Sequence, residues 1–272
     1  IIIKNEEKVA LYDKNLHSGK FLIKGRGWGN NNAQYIIDIA CGDNFIGIYD
    51  SYLNRISIFN LKGEFVNSFY LSKDLVGQRI NISKDGIILN VIFDKENYLF
   101  YHFSLNGEIL KKFGKRENYS SSYIGDYCVD WKNKKMYFPS SSKEIKVYDF
   151  NGNVIKNISK ENWLFLYNLV INNNKLYICG VFMEFTGEND TFSQSFIEIL
   201  QKEIRKDLEK NRIVKKTYIG LDIYSLEKDE FLYENFNLNS HGILVNVISD
   251  TVWTVIPEKL ELRKYFLIYN EK

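Results

Sequence analysis

Short runs of alternating apolar and polar residues recur along the chain in pairs, each pair split by a glycine: RISIFNLKGEFVNSF, YLFYHFSLNGEILKKF and EIKVYDFNGNVIKNI. A period of two puts successive side chains on opposite faces of a strand. Lys-Gly or Asn-Gly between two such runs predicts a hairpin with a two-residue loop, because glycine accepts positive φ. The turn glycines are Gly63, Gly107 and Gly152, spaced by 44 and 45 residues, and one period before Gly63 stands Gly19 in VALYDKNLHSGKFLIKG. The next hairpin, LDIYSLEKDEFLYENF, turns near Lys228, 76 residues after Gly152. Removing one period leaves about 31 residues, the length of an interruption from Glu184 to Lys216. One further period reaches Lys272, just after KYFLIYN.

Each hairpin is preceded by a second pair of apolar runs: IIDIA with FIGIY, INIS with IILNVIF, YCVDW with KMYF, LVIN with KLYICGV, and ILVNVIS with VWTVI. Four short antiparallel strands in about 44 residues make up one propeller blade. The sequence therefore predicts an all-β fold, a six-bladed β-propeller of four-stranded antiparallel blades, with residues 1–272 as a single domain. The first blade is expected to be incomplete at the N-terminus, because Ile1–Glu6 aligns with the second-strand run Phe45–Asp50. The sixth is expected to lack its fourth strand, which an upstream segment would supply.

The interruption at 184–216, in the fifth copy, has a different period. Phe196, Leu200, Ile204 and Leu208 recur every four residues among charged neighbours, and Ser195 with Glu198 has capping-box spacing. This predicts an amphipathic helical insertion between a second and a third strand, its apolar stripe folded back on the propeller. A lid over the channel or a docking helix is the alternative.

The phrase SYLNRISIFNLKGEFVNSF, with GRGWGNNNAQY before its blade, resembles the NHL-type repeat, and especially the six-bladed β-propeller proteins common in Bacteroidetes. The likeness runs through all six hairpins. It departs at Trp28 and the run Asn30–Asn32, where that family more often has a Gly-Pro-Gly-Glu turn, and at the insertion. The resemblance implies a blade and no particular chemistry. It also implies an exported protein, periplasmic or surface-associated, with a lipid anchor upstream of Ile1.

In a propeller, the loops from strand two to strand three and from blade to blade leave one face, and the hairpin turns leave the other. All seven arginines sort to the loop face: Arg26 and Arg116 in inter-blade loops, Arg79 at the start of an inner strand, Arg55 and Arg263 at the start of third strands, Arg205 and Arg212 in the insertion. Lysines crowd the turns, as at Lys62, Lys84, Lys132, Lys134, Lys135 and Lys175. An arginine fork matches carboxylate or phosphate, whereas exposed lysine chiefly keeps a surface solvated. Trp28, Tyr35, Tyr119, Tyr123 and Trp163 fall in or beside the same loops, where rings stack on sugar, base or peptide. The predicted ligand-binding set is Arg26, Trp28, Arg79, Arg116, Tyr119, Tyr123, Trp163 and His241. The competing reading is structural, with Arg55 part of the blade, other arginines paired to Asp50 or Asp94, and rings consumed between blades.

Composition narrows the classes. With 45% apolar and 15% aromatic residues the chain is not disordered, and no apolar run is long enough to span a bilayer. A net charge of +2, from 36 basic and 34 acidic side chains, is too small to point to nucleic acid. Thirty asparagines and a large excess of Lys over Arg speak of genome composition more than of mechanism. Cys41, Cys128 and Cys179 lie far apart in apolar runs and read as buried free thiols. Of three histidines, His17 is in a turn, His102 in a third strand, and His241 begins an inner strand, the one place suited to a channel metal. Asp38 and Asp126 alternate with apolar neighbours on first strands. There is no Ser/His/Asp spacing, and GRGWG opens a strand where a phosphate loop opens a helix. The sequence thus predicts a non-catalytic binding or scaffold propeller without cofactor or metal. It would recognise a protein, peptide or acidic glycan through its Arg and aromatic loop face, with no nucleic-acid partner and no transmembrane segment. The alternative is a channel-centred metal-dependent lyase or lactonase-like hydrolase.

Overall fold

The computed structural model describes residues 2–4, 8–12, 19–115, 126–141, 143–186, 213–237, 243–248, 251–256 and 261–266. They contain no helix, and their strands form six sheets in which neighbours follow chain order. The first sheet holds β1 (Ile2–Lys4), β2 (Val9–Tyr12) and β3 (Gly19–Ile23). The second holds β4 (Ile36–Gly42), β5 (Phe45–Asp50), β6 (Arg55–Asn60) and β7 (Phe65–Tyr70), and the third β8 (Leu75–Ser83), β9 (Gly86–Asp94), β10 (Tyr98–Phe103) and β11 (Ile109–Lys115). The fourth is β12 (Cys128–Asp130), β13 (Lys135–Ser141), β14 (Glu144–Asp149) and β15 (Val154–Ser159), and the fifth β16 (Trp163–Asn172), β17 (Lys175–Thr186), β18 (Ile213–Ser225) and β19 (Glu230–Asn237). The last has β20 (Ile243–Ile248), β21 (Thr251–Ile256) and β22 (Glu261–Phe266).

Six four-stranded blades were expected, and four sheets meet that description. Among the described residues β1 pairs only with β2, and β22 only with β21, so the first and last sheets have three strands. The insertion is also corrected at its edges. Ladder pairing of β17 with β18 continues out to Thr186 opposite Ile213, so both ends of the 184–216 segment are strand. The stripe from Phe196 to Leu208 lies outside the described residues. No helix among the described residues is long and apolar enough to cross a membrane.

The chain divides into two compact units. The first comprises residues 1–121 with the turns at 131–135 and 149–153. Here the first strands of successive sheets, β4 and β8, lie side by side. Val9, Leu22 and Ile36 pack with Ile46, Ile48 and Phe59 between the first two sheets, and Tyr49, Ile56 and Ile58 pack with Ile80, Ile82 and Leu89 between the next two. Sheets covered on both faces bury their middle strands almost throughout, as at β5, and the simple alternation survives only on outer strands such as β7. Each such side chain contributes about 1.5–3 kcal/mol. The second unit comprises residues 122–130, 136–148 and 154–272. In it β16 lies between β12 and β20, and Trp163, Leu166, Leu176, Ile178 and Phe182 form the centre of its core.

The glycine turns are one residue longer than predicted. Gly63 donates to Asn60 and Asn60 to Glu64; Gly107 donates to Ser104 and Ser104 to Glu108; Gly152 donates to Asp149 and Asp149 to Asn153. These are three-residue loops ending on a left-handed glycine, at φ 72°, 89° and 87°, each with a register shift just before the turn. The missing side chain is also a packing requirement. A Cβ on Gly63, Gly107 or Gly152 would run into Leu22, Phe69 or Phe113, on the outer strand of the preceding sheet. Cys128 and Cys179 are buried as expected, but Cys41, near the end of β4, is exposed.

Candidate functional site

The loop entering the second sheet, residues 24–35, is fixed by two buried charges. Asp50 ends β5, Arg55 begins β6, they face each other in the ladder, and each is 2% exposed. Asp50 Oδ2 accepts the N–H of Gln34 at 2.6 Å, and Oδ1 accepts those of Tyr35, Tyr52 and Leu53 at 3.0–3.2 Å. Arg55 Nη1 donates to the carbonyls of Trp28 and Gly29 at 3.1 and 3.2 Å, and Nη2 donates to that of Asn32. Arg55 is therefore turned inward, as the competing structural reading held, and is withdrawn from the loop face. Charge-assisted bonds of this kind are about twice as strong as neutral ones, and the two opposite charges offset each other's desolvation.

The asparagine run supplies the remaining ties. Asn31 Nδ2 donates to Leu22, Asn32 Nδ2 reaches the carbonyls of Gly25 and Arg26, and Arg26 bridges Ala33. This replaces the Gly-Pro-Gly-Glu turn of the resembled family with side-chain donors that hold the loop from within.

With its backbone thus fixed, the loop holds rings out to solvent: Trp28 is 68% exposed and Tyr35 44%, and Tyr52, in the β5–β6 turn, is 72% exposed. Tyr35 and Tyr52 hang their amides on the same Asp50 oxygen, which brings the two segments together. Tyr52 was not among the predicted site residues. Its signal was present in the strand-two to strand-three turn that follows an aspartate, but ring-bearing positions had been sought in inter-blade loops alone. Lys24 and Arg26 are the charged residues of 24–35, and no acid accompanies them.

Arg79 is not at the start of its strand but midway along β8, where its Nη1 lies 3.3 Å from Asp38 Oδ1 on β4. Asp38 Oδ2 also accepts the N–H of Ile80 at 2.8 Å. The arginine side chain is about half exposed, at 45%, and the aspartate nearly buried, so the pair lies at the edge of solvent. Both stand where first strands change register: β4 between Ile36 and Asp38, β8 around Gly77. Bulges of this kind re-aim side chains.

Trp163 is fully buried, the first residue of β16, and its Nε1 donates to buried Asp222 at 2.7 Å, an oxygen that Lys160 Nζ reaches at 3.0 Å. It is a core residue of the second unit with no ring face to offer a ligand. Arg116, Tyr119, Tyr123 and His241 lie outside the described residues. Among the described residues no group of three or more His, Cys, Asp or Glu stands together as metal ligands.

No protein-family model matches the chain, and no curated protein does. Solved structures share its fold. A chain of hydrazine synthase from Kuenenia stuttgartiensis is similar with a TM-score of 0.59 at 9% identity, over 97% of this chain and 72% of that one. A Bacteroides fragilis protein described as exported is similar at 0.54 and 11%, over 93% and 78%. The Swd1 (Cps50) β-propeller domain of Myceliophteria thermophila is similar at 0.53 and 6%, over 97% and 91%. At these identities the likeness is one of fold: this chain is an all-β propeller built on antiparallel four-stranded sheets.

Proposed function

We propose that the protein is a non-catalytic binding or scaffold propeller that takes an acidic peptide segment of a protein partner on the aromatic loop anchored by Asp50 and Arg55. The observation behind this reading is three large rings held out to solvent on a backbone fixed by buried charges. Tyr and Trp dominate binding hot spots, and a pre-ordered loop loses little entropy when a partner arrives. Lys24 and Arg26, with no acid in the same segment, favour a partner of negative charge. An acidic glycan is the alternative occupant.

Selection of a peptide display library on the purified protein tests this. The selected peptides should be rich in Asp and Glu, and Trp28→Ala or Tyr52→Ala should each weaken them about tenfold or more. Selected peptides without acidic residues, or affinities indifferent to both substitutions, would refute it. Within the same proposal, the two three-stranded sheets are the incomplete first and sixth blades of a single propeller domain of NHL-like repeats. The protein is proposed to work outside the cytoplasm, as a Bacteroides fragilis protein of like fold is described to do.

A further inference from the structure

We propose that the turn end of the first unit carries a second binding site, one that takes a neutral saccharide. The β8–β9, β12–β13 and β14–β15 turns border an open cleft of about 640 Å³. That volume lies within the range of about 300–1,000 Å³ usual for small-molecule sites. All its lining residues belong to the same compact unit. At its floor is His102 on β10, whose ring meets those of Phe150 and Trp131 with centroids 5.2 and 5.8 Å apart. Trp131 is fixed in turn by its Nε1, which donates to Asn81 Oδ1 at 2.7 Å.

Three properties of the lining select the ligand. Lys111 and Lys134 are balanced by Asp85 and Asp149, so the cleft has no net charge with which to draw an ion. Burial holds the His102 imidazole below its ordinary value of 6.5, and its Nε2 lies 3.3 Å from the Asp85 carbonyl, so the floor is uncharged at neutral pH. Asp149, whose carboxylate receives the Asn153 backbone N–H, is held below the usual carboxylate range and remains ionised. Second, carboxylate, amide and ammonium groups alternate around the rim, Asn133 and Asn151 among them. Such a mixture can both donate to and accept from adjacent hydroxyls, as a polyol requires and an apolar ligand does not. Third, the ring of Phe150 and the half-exposed side chain of Leu110 give one apolar wall, against which the C–H face of a pyranose packs.

Saturation-transfer NMR on the full chain, with cellobiose, maltose, lactose and N,N′-diacetylchitobiose as probes and glucuronic acid as a charged comparator, tests the assignment. At least one neutral disaccharide should show transfer, stronger than glucuronic acid. Asn151→Ala and Lys111→Ala should each lower its affinity about fivefold, the worth of one hydrogen bond. Lys111 is exposed, so its variant keeps the fold and remains informative if Asn151→Ala does not. Trp28→Ala should leave the sugar signal intact, which separates this site from the aromatic loop. No transfer from any neutral probe, transfer from glucuronic acid of equal strength, or affinity unmoved in Lys111→Ala would each overturn the proposal.

Discussion

Arg55 carries the chemistry of an anion-binding residue and applies it to three backbone carbonyls of its own chain. Nothing in the alternation around RISIF marks that difference, because burial of a guanidinium depends on where the preceding loop lands. The same holds for Asp50, four of whose N–H partners come from two separate segments. Arg55→Ala should destabilise the protein by roughly 3 kcal/mol, since it strands Asp50 and frees the loop carbonyls, and Asp50→Asn by roughly 1–3 kcal/mol. Urea midpoints at constant slope measure both. His102 gives a pH signature. Its folded pKa lies below 6.5, so the unfolded chain takes up the proton first. Stability from the neutral ring is complete above about pH 6.5 and declines as the pH falls from there toward the lowered folded value. Unfolding free energies measured between pH 8 and 5 should show this decline in the wild type and a flatter curve in His102→Gln.

The hairpins were legible as elements because glycine and period-two alternation are local signals. Their three-residue form was less so: a left-handed glycine closes a two-residue loop as readily as a bulged one, and the difference lies in the register shift before it. Gly107→Ala combines a positive φ with a collision against Phe69 and should lose at least about 1–2 kcal/mol, read as a lower melting temperature. First strands hid better. Bulges in β8 and β16 break the alternation in their opening residues, so Arg79 and Trp163 looked like loop or strand-end residues although both lie in strands. The same local ladder logic applies to the insertion. Thr186 and Ile213 are partners, so their backbones are already at hairpin separation. Replacement of 187–212 by a short Asn-Gly turn should keep the far-UV strand signal and move the melting temperature by no more than a few degrees.

For the molecule as a whole, the period of 44–45 residues made the propeller readable without any family match, since repetition reports architecture even where sequence identity to relatives of like fold is near 10%. The candidate sites were only partly readable for the opposite reason. Trp28 and Arg26 share one loop and were found, whereas Tyr52 and the lining of the cleft at His102 are brought together from turns tens of residues apart. The contact between each turn glycine and the outer strand before it sets a rule for how such a chain changes length. Leu22, Phe69 and Phe113 occupy the same phase of the repeat as one another, as do Gly63, Gly107 and Gly152. Excision of residues 70–113 would deliver Phe69 beneath Gly152 in place of Phe113, and the seam would close. A cut of any other length slides an unmatched side chain under that glycine, so insertions and deletions in this half of the chain are quantised: whole repeats are heritable, and fractions of one are confined to the loops.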